Sequence, residues 1–502
     1  MAMEVINNLF FGLGVVFQPQ ILAFCFLGCV VGTLVGVLPG LGPIATISIL
    51  LPASLVLGPV GGMVMLAGIY YGAMYGGSTT SILLNIPGEA ASVVTCLDGY
   101  QMARKGRAGP ALGISAFGSF IAGTGSVIGL MLIAPPLAEA TLAFGPPEYF
   151  SLIICGLTLV TFLAKGAMWK AVLMAAVGVF LSTMGTDELL GTPRFTFNIP
   201  EMVDGLGLAP VAMGLFGISE VLVNLEQSME ISIYETKIKN ILPTLKDWRD
   251  SIWAILRGTL IGFFIGLLPG GGALLSSFTS YAVEKKISKH PEDFGTGVIQ
   301  GVAGPESANN AATGSTFIPL LTLGIPPNAT MAIMFGALMM YGLQPGPLLI
   351  KEHPQVFWGL IASMYIGNVM LVALNLPLIG LWVKILKIPY PILFPLILMF
   401  CLVGAYSLNN SVTEVLIMCV CGMVGYLLRK FGYEAAPLIL GLVLGIRLET
   451  SLRRSLLLEK GDLTIFFRRP ISAILLCVAI LLIVVPLIPK LRKGVSKVPK
   501  GD

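Results

Sequence analysis

The sequence predicts an all-α polytopic membrane protein with two inverted-topology repeats, whose broken helices and helical hairpins meet near the bilayer midplane, plus one extra C-terminal span. Three observations predict this fold. The 502 residues are 56% hydrophobic and only 11% charged. Long stretches lack any ionisable side chain, and the same motifs occur twice in the same order.

The hydrophobic composition indicates a membrane protein. Soluble proteins carry roughly a quarter charged residues, whereas the mean hydropathy here is +0.90. No Asp, Glu, Lys, Arg or His lies between Val5 and Gly88, and the stretches 307–350, 354–383 and 388–413 are equally free of them. A span needs about 20 apolar residues, and in lipid such segments must be helices. Short alternating segments, typical of a β-barrel, are not seen.

An internal repeat is the most informative feature. Three motifs of the first half recur in the same order in the second half: GTLVGVLPGLG at 32–42 as GFFIGLLPGGG at 262–272, Gly-Ser-Thr followed by Ile-Pro at 77–87 and at 314–326, and Ala-Pro-x3-Gly at 209–214 and at 436–441. The repeat predicts the following organisation: an N-terminal apolar or interfacial segment at 1–20, a first membrane repeat at 21–225, a polar cytoplasmic linker at 226–250, a second membrane repeat at 251–450, and an interfacial segment, final transmembrane helix and basic cytoplasmic tail at 451–502.

The basic loops indicate that the two halves have opposite orientations. Residues 104–107 form a basic cluster after the Gly-Ser-Thr segment of the first half, whereas 285–289 form one after the Pro-Gly segment of the second. Lys and Arg favour the cytoplasmic side, so equivalent loops face opposite sides, as in many secondary transporters. The arginines at 447–469 do not fit this alternation unless that region is interfacial. The net charge of +4 is spread over such loops and the tail, and it does not indicate nucleic acid as a partner.

The two Pro-Gly motifs predict helix breaks at membrane depth. Pro removes a backbone donor and Gly has low helix propensity. Non-helical backbone at that depth is tolerated only inside protein or along a cavity, and matched breaks point to a transporter binding site. A structural kink in both halves is the alternative. The residues assigned to cation binding or to a helix break are Pro39, Gly40, Gly42, Pro269, Gly270, Gly272 and Glu306.

Each half also carries a polar cluster followed by an Ile-Pro tip, which predicts a helical hairpin. Hydroxyl and amide groups can bind a carboxylate without a buried cation, and helix N-termini add free N–H donors. Alternatively, the hydroxyls bond to their own helix backbone. The residues predicted to bind substrate are Ser78, Thr79, Thr80, Asn85, Pro87, Gly88, Asn309, Asn310, Ser315, Thr316 and Pro326.

Two acids flank uncharged segments, Glu89 and Glu306. A carboxylate inside a membrane is costly and usually functional. Either acid could therefore bind a coupling cation or carry a proton, and the alternative is that both lie at the membrane surface.

Several of these motifs resemble the TctA family, the large membrane subunit of tripartite tricarboxylate transporters. The resemblance covers nearly the whole chain and is carried by GVLPGLG at 36–42, YGGSTTSILLNIPG at 75–88, LDGY at 97–100, GVAGPESANN at 301–310 and FIPLLTLGIP at 317–326. It implies uptake of tricarboxylates or dicarboxylates driven by a cation gradient, with Na⁺ as coupling ion and no other cofactor. It also implies a small TctB-like membrane subunit and a periplasmic TctC-like binding protein as partners, in a bacterial inner membrane. An elevator-like movement follows only by fold-level analogy.

Other functions were weighed against this one. A carboxylate transporter that works without a binding protein stays open, and an ion channel lined by the Pro-Gly breaks is disfavoured because the polar clusters are compact. An enzyme is not expected, since the only histidines, His290 and His353, lie in loops. The chain also lacks the GxxxxGK[ST] phosphate-binding motif, which agrees with transport without ATP hydrolysis.

Overall fold

A computed structural model of the chain describes residues 2–38, 40–164, 166–226, 240–385 and 390–485. The helices of the first part of the chain are α1 Ala2–Val16, α2 Pro19–Val37, α3 Pro43–Leu55, α4 Gly58–Leu84, α5 Val93–Arg104, α6 Ala108–Thr141, α7 Pro146–Phe162, α8 Met168–Ser182, α9 Leu208–Ala212 and α10 Ser219–Glu226. Those of the second part are α11 Leu245–Gly266, α12 Gly272–Ile287, α13 Gln300–Ser315, α14 Phe317–Leu323, α15 Ala329–Met340, α16 Leu349–Glu352, α17 Pro354–Asn375, α18 Ile379–Ile385, α19 Tyr390–Asn409, α20 Val412–Lys430, α21 Ala435–Leu458, α22 Ile465–Arg468 and α23 Pro470–Val484.

Little other regular structure accompanies these helices. A π-helical segment, Met213–Ile218, joins α9 to α10, and 3₁₀ turns lie at Ala90–Ser92, Pro200–Asp204 and Pro291–Asp293. Two short strands, β1 Gly185–Thr186 and β2 Pro193–Arg194, pair antiparallel with Gly185 opposite Arg194.

Seven helical stretches of the described residues are long and apolar enough to cross a membrane: Pro19–Val37, Ala108–Thr141, Leu208–Glu226, Pro354–Asn375, Ile392–Asn409, Val412–Lys430 and Ala435–Leu458. The predicted all-α polytopic membrane fold is therefore confirmed. The inverted orientation of the repeats and their meeting near the midplane stay predictions. Pro39, part of the linker at 226–250 and the basic tail lie outside the described residues.

The chain divides into two compact units. Unit 1 comprises Met1–Glu139 and Gly207–Leu427, and unit 2 comprises Ala140–Leu206 and Leu428–Asp502. Each unit therefore draws residues from both predicted repeats, so that a compact unit and a repeat are different divisions of the same chain.

In unit 1, helix α2 is in backbone contact with α4, and α11 with α13. Along α2 and α4, a methyl group added at Gly32 would lie 2.5 Å from the Ile69 carbonyl oxygen, and one at Gly36 would lie 2.2 Å from that of Ala73. The pair α11 and α13 is built alike, because a methyl group at Gly262 would lie 2.1 Å from the Ala308 carbonyl oxygen. Such spacing of small residues lets helices in a membrane approach closely. We call these contacts the glycine zippers.

Unit 2 contains a network of ion pairs around the buried Asp187, beside its short strands, and the other members of the network are partly exposed. Asp187 Oδ2 lies 2.6 Å from Arg453 Nη1 and 3.5 Å from Arg194 Nη1. Arg194 in turn binds both carboxylate oxygens of Glu449, at 2.7 and 3.0 Å. We call these four residues the Asp187 network. The hydrogen bond from Arg453 is the largest of the contributions that lower the pKa of Asp187 to about 2.

Candidate functional site

The chain leaves helical geometry at both Pro-Gly motifs. In the first, α2 ends at Val37 and α3 begins at Pro43, and between them Gly40 has φ +90. In the second, α11 ends at Gly266 and α12 begins at Gly272, which itself has φ +60. Glycine accepts these left-handed dihedrals without strain, which explains why the chain turns at these positions.

The two Ile-Pro tips have matching backbone geometry. The C-terminal capping residues of α4 and α14 are Asn85 and Gly324, both left-handed, with φ 58 and 66. Four residues later, Glu89 caps the turn that leads into α5 by accepting from the Ala91 amide at 2.7 Å. Asn328 likewise caps α15 by accepting from the Met331 amide at 2.9 Å. Each tip thus ends one helix and opens another whose first amides are capped by a side chain.

Each tip lies beside the helix break of its own half. The Gly270 amide donates to the Pro327 carbonyl at 2.8 Å, which joins the second break to the second tip. At the first tip, a methyl group on Gly88 would lie 2.0 Å from the Gly36 carbonyl oxygen in the last turn of α2. The predicted breaks and tips are therefore neighbours in space, although the sequence separates them by about 50 residues.

Glu306 is completely buried on α13, with 0% of its surface exposed. Its Oε2 accepts from Ser78 Oγ at 2.5 Å and from Asn309 Nδ2 at 3.3 Å, and its Oε1 accepts from the hydroxyl of Thr95. Within the part of the chain that the structure describes, no Lys, Arg or His forms an ion pair with it. Glu306 is therefore enclosed by protein, and neutral donors hold its carboxylate.

The hydrogen bonds continue from Glu306 along α13. Asn310 Nδ2 donates to Asn309 Oδ1 at 2.5 Å, to Ser119 Oγ on α6 at 2.8 Å and to the Glu306 carbonyl at 3.0 Å. We call Ser78, Thr95, Ser119, Glu306, Asn309 and Asn310 the Glu306 cluster. It joins α4, α5, α6 and α13, and therefore both predicted repeats.

A small cavity lies next to this cluster. Its polar lining comprises Tyr75, Ser78, Thr79, Ser115 and Asn375, together with three apolar side chains. Its volume is about 10 Å³, room for roughly one water molecule. The Tyr75 hydroxyl and Asn375 Oδ1 are buried without a hydrogen-bond partner among the described residues.

The remaining predicted substrate residues are placed differently. Thr80 donates to the Val37 carbonyl at 2.7 Å, where α2 ends. Ser315 and Thr316 donate to carbonyls of their own helix, as the alternative interpretation expected. Asn85 is exposed, Pro87 is half-buried, and Pro326 is buried. The structure thus brings Ser78, Thr79, Asn309 and Asn310 to the Glu306 cluster or its cavity, and not the others.

Sequence reasoning missed several residues that complete the site. Asp98 is fully buried and accepts hydrogen bonds from the Tyr281 hydroxyl at 2.9 Å and from the amides of Gly295, Gly297 and Val298. It thereby fastens α5, which carries Thr95, to the loop that precedes α13. The sequence signal for Asp98 was an acid within an apolar motif, LDGY. A buried carboxylate needs hydrogen-bond donors, and this acid could therefore have been predicted to join two elements. Asn375, one of two asparagines in the uncharged stretch 354–383, gave a weaker signal.

The comparisons with known proteins agree with the motifs. A family model described as the tripartite tricarboxylate transporter TctA family matches residues 22–440. An uncharacterized 52.8 kDa protein in the TAR-I ttuC' 3' region of Agrobacterium vitis is 50% identical over 496 residues, covering 99% of this chain and 99% of that protein. An uncharacterized protein in the TAR-II ttuC' 3' region of the same organism is 54% identical over 231 residues, covering 46% of this chain and 96% of that protein. No solved structure matches.

Proposed function

The chain belongs to the tripartite tricarboxylate transporter TctA family, and on this premise we propose that it is the large translocating subunit of a binding-protein-dependent secondary transporter. It imports tricarboxylates or dicarboxylates across a bacterial inner membrane, and a Na⁺ gradient drives the uptake. Its partners are a small TctB-like membrane subunit and a periplasmic TctC-like binding protein that delivers the substrate. It catalyses no chemical reaction.

The observation that carries this proposal is the buried carboxylate of Glu306. Burying a charge in a low-dielectric interior is costly unless an opposite charge accompanies it. Four neutral side chains, Ser78, Thr95, Asn309 and Ser115, interact with the Glu306 carboxylate, and no basic side chain of the described residues neutralises it. A coupling cation supplies the missing charge. Acids of this kind inside membrane proteins mark ion pathways, which supports cation-coupled transport.

The substrate carboxylate is assigned to the region of the two tips and breaks. There, the helices that follow each break begin with free amides, and these favour an anion. The cavity at Ser78 and Thr79 holds about 10 Å³, far less than a dicarboxylate needs.

Reconstituted transport tests the proposal. The chain and its small membrane subunit are placed in proteoliposomes, and uptake of a radiolabelled tricarboxylate or dicarboxylate is measured with its binding protein in the external buffer. We expect uptake only when an inward Na⁺ gradient and the loaded binding protein are both present, and counterflow of substrate in exchange experiments.

Three results would contradict it. Uptake at full rate without the binding protein identifies a binding-protein-independent transporter. Flux without counterflow identifies a channel. Uptake that follows a proton gradient and ignores Na⁺ shows that the coupling ion is a proton.

A further inference from the structure

We propose that the cavity between Tyr75, Ser78 and Asn375 is a binding site for one Na⁺ ion, whose charge Glu306 balances through Ser78. The proposal rests on the proposed function, since it places the coupling ion of that transport. It adds two ligands, Tyr75 and Asn375, that the sequence analysis assigned neither to substrate nor to cation binding.

The orientation of Asn375 presents an acceptor to the cavity. Its Nδ2 donates to the Leu371 carbonyl at 2.9 Å and to Thr33 Oγ1 at 3.4 Å. Because a carbonyl oxygen can only accept, the atom beside it must be the nitrogen. Asn375 Oδ1 is therefore the amide atom left over, and it is buried without a partner. An unsatisfied buried acceptor favours a cation or a water molecule, and it disfavours a carboxylate.

Ser78 presents a second acceptor. Its hydroxyl hydrogen is directed to Glu306 Oε2 at 2.5 Å, so its free lone pairs are available to an occupant of the cavity. The sequence-based assignment of Ser78 as a donor to substrate carboxylate is replaced here by the opposite role, because a hydroxyl has one hydrogen to give.

The dimensions and ligand types fit a small monovalent cation. The cavity holds about 10 Å³, and five oxygen-bearing side chains line it, the kind of ligand that hard cations prefer. Groups of three or more His, Cys, Asp or Glu side chains, which suit divalent ions, do not occur among the described residues.

Two sources of negative potential favour a cation at this position. Glu306 lies one hydroxyl away, behind Ser78. Asn375 is also the last residue of α17, and the C-terminus of a helix carries partial negative charge. A bound ion would hold α17 against α4 and α6, which carry the other ligands. Its release would remove that restraint, and this links ion binding to movement of the helices.

The test is equilibrium binding of ²²Na⁺ to the purified full-length protein by scintillation proximity, with N-methyl-D-glucamine holding the ionic strength constant. Asn375→Leu should weaken Na⁺ binding by about tenfold or more, the range seen when a metal site loses a ligand or its support. Asn368→Leu is the matched control, because Asn368 is a buried amide on the same helix that lies against Gly123 and not at the cavity.

Tyr75→Phe keeps the inference testable if Asn375→Leu fails to fold, because it removes only a hydroxyl. It should weaken Na⁺ binding several-fold. Wild-type binding in both Tyr75→Phe and Asn375→Leu would overturn the inference and identify a water site. Equal loss in Asn368→Leu would overturn it as well.

Uptake in proteoliposomes separates this inference from the proposed function. If uptake follows the Na⁺ gradient while the cavity variants bind Na⁺ normally, only the location of the ion is wrong. If the wild type binds no Na⁺ and takes up substrate with protons, the coupling ion is wrong too.

Discussion

Two buried carboxylates show two ways of keeping charge inside this protein. Asp187 of unit 2 is 4% exposed and lies between two arginines, with Arg453 at 2.6 Å. Glu306 of unit 1 is 0% exposed and is held by two hydroxyls and an amide. Arginine side chains of the same chain balance the charge of Asp187, whereas no basic side chain of the described residues balances that of Glu306. The first arrangement stabilises a fold, and the second can bind a cation and release it.

The largest expected effect tests the Glu306 side of this comparison. Glu306→Gln keeps the shape of the side chain but removes the charge and replaces one of the two acceptor oxygens by a donor. A unit charge about 4 Å from an ion contributes about 4 kcal/mol at an effective dielectric constant near 20, so Na⁺-driven uptake should fall by about 100-fold or more. The measurement is the initial rate of uptake in proteoliposomes, normalised to folded protein.

The control for that experiment is Asp187→Asn, which removes a buried charge of the other kind. Its uptake per folded molecule should stay within about twofold of wild type, because a paired structural charge makes no contact with the ion. Full cation-coupled uptake by Glu306→Gln would show that Glu306 does not balance the charge of the coupling ion. The two carboxylates would then not differ in function.

A smaller effect is expected from one donor of the Glu306 cluster. Thr95→Val removes one of the hydrogen bonds to the Glu306 carboxylate. A hydrogen bond to a charged group contributes about 1.5 kcal/mol or more, so the Na⁺ concentration for half-maximal uptake should change by about tenfold. Thr161→Val is the control, since Thr161 is a buried threonine that donates only to the Thr158 carbonyl of its own helix. Equal changes in both variants would argue against a special role for Thr95.

Loss of the arginine that pairs with Asp187 should lower the stability of the protein. Arg453→Gln leaves Arg194, at 3.5 Å, as the remaining basic partner of Asp187. The thermal unfolding midpoint of the detergent-solubilised protein should therefore fall. Arg453→Lys keeps a positive charge and should recover part of the loss, though not the geometry of a guanidinium. If Arg453→Gln unfolds at the wild-type temperature, the Asp187 network contributes nothing measurable to the fold.

The smallest effect concerns acid stability. The hydrogen bond from Arg453 contributes most to lowering the pKa of Asp187 to about 2 in the folded protein, below the ordinary value of an aspartate. A lowered pKa contributes stability that is present above the unfolded pKa and is lost as the pH falls through the folded one. The midpoint of the wild type should therefore drop between about pH 4 and pH 2. That of Asp187→Asn should drop less over the same interval, and parallel curves would contradict the assignment.

Local features of the site could be predicted from the sequence. Pro and Gly act on their own backbone, so the helix ends at Val37 and Gly266 follow from the motifs alone. Whether Glu306 is buried or lies at a surface stayed open in the sequence, and the structure shows it 0% exposed. The orientation of the two repeats also depends on local charge, and labelling of 104–107 and 285–289 from the same face of the membrane would confirm it.

Long-range partners could not be predicted. Ser78 and Glu306 are 228 positions apart, and their contact depends on how α4 and α13 pack. A serine that donates to a distant acid and a serine that donates to its own helix, such as Ser315, look alike in the sequence. The two compact units were missed for the same reason, because each combines segments from both repeats.

The glycine zippers limit which helices of unit 1 can slide. Helices α2 and α4 meet backbone to backbone, as do α11 and α13, so each pair has no side-chain layer along which its members could shift. We therefore expect the helices of unit 1 to rearrange where one pair packs against the other. Ser78 on α4 and Glu306 on α13 form a hydrogen bond between the two pairs. An ion that disturbs this bond would therefore also weaken the contact between the α2–α4 pair and the α11–α13 pair.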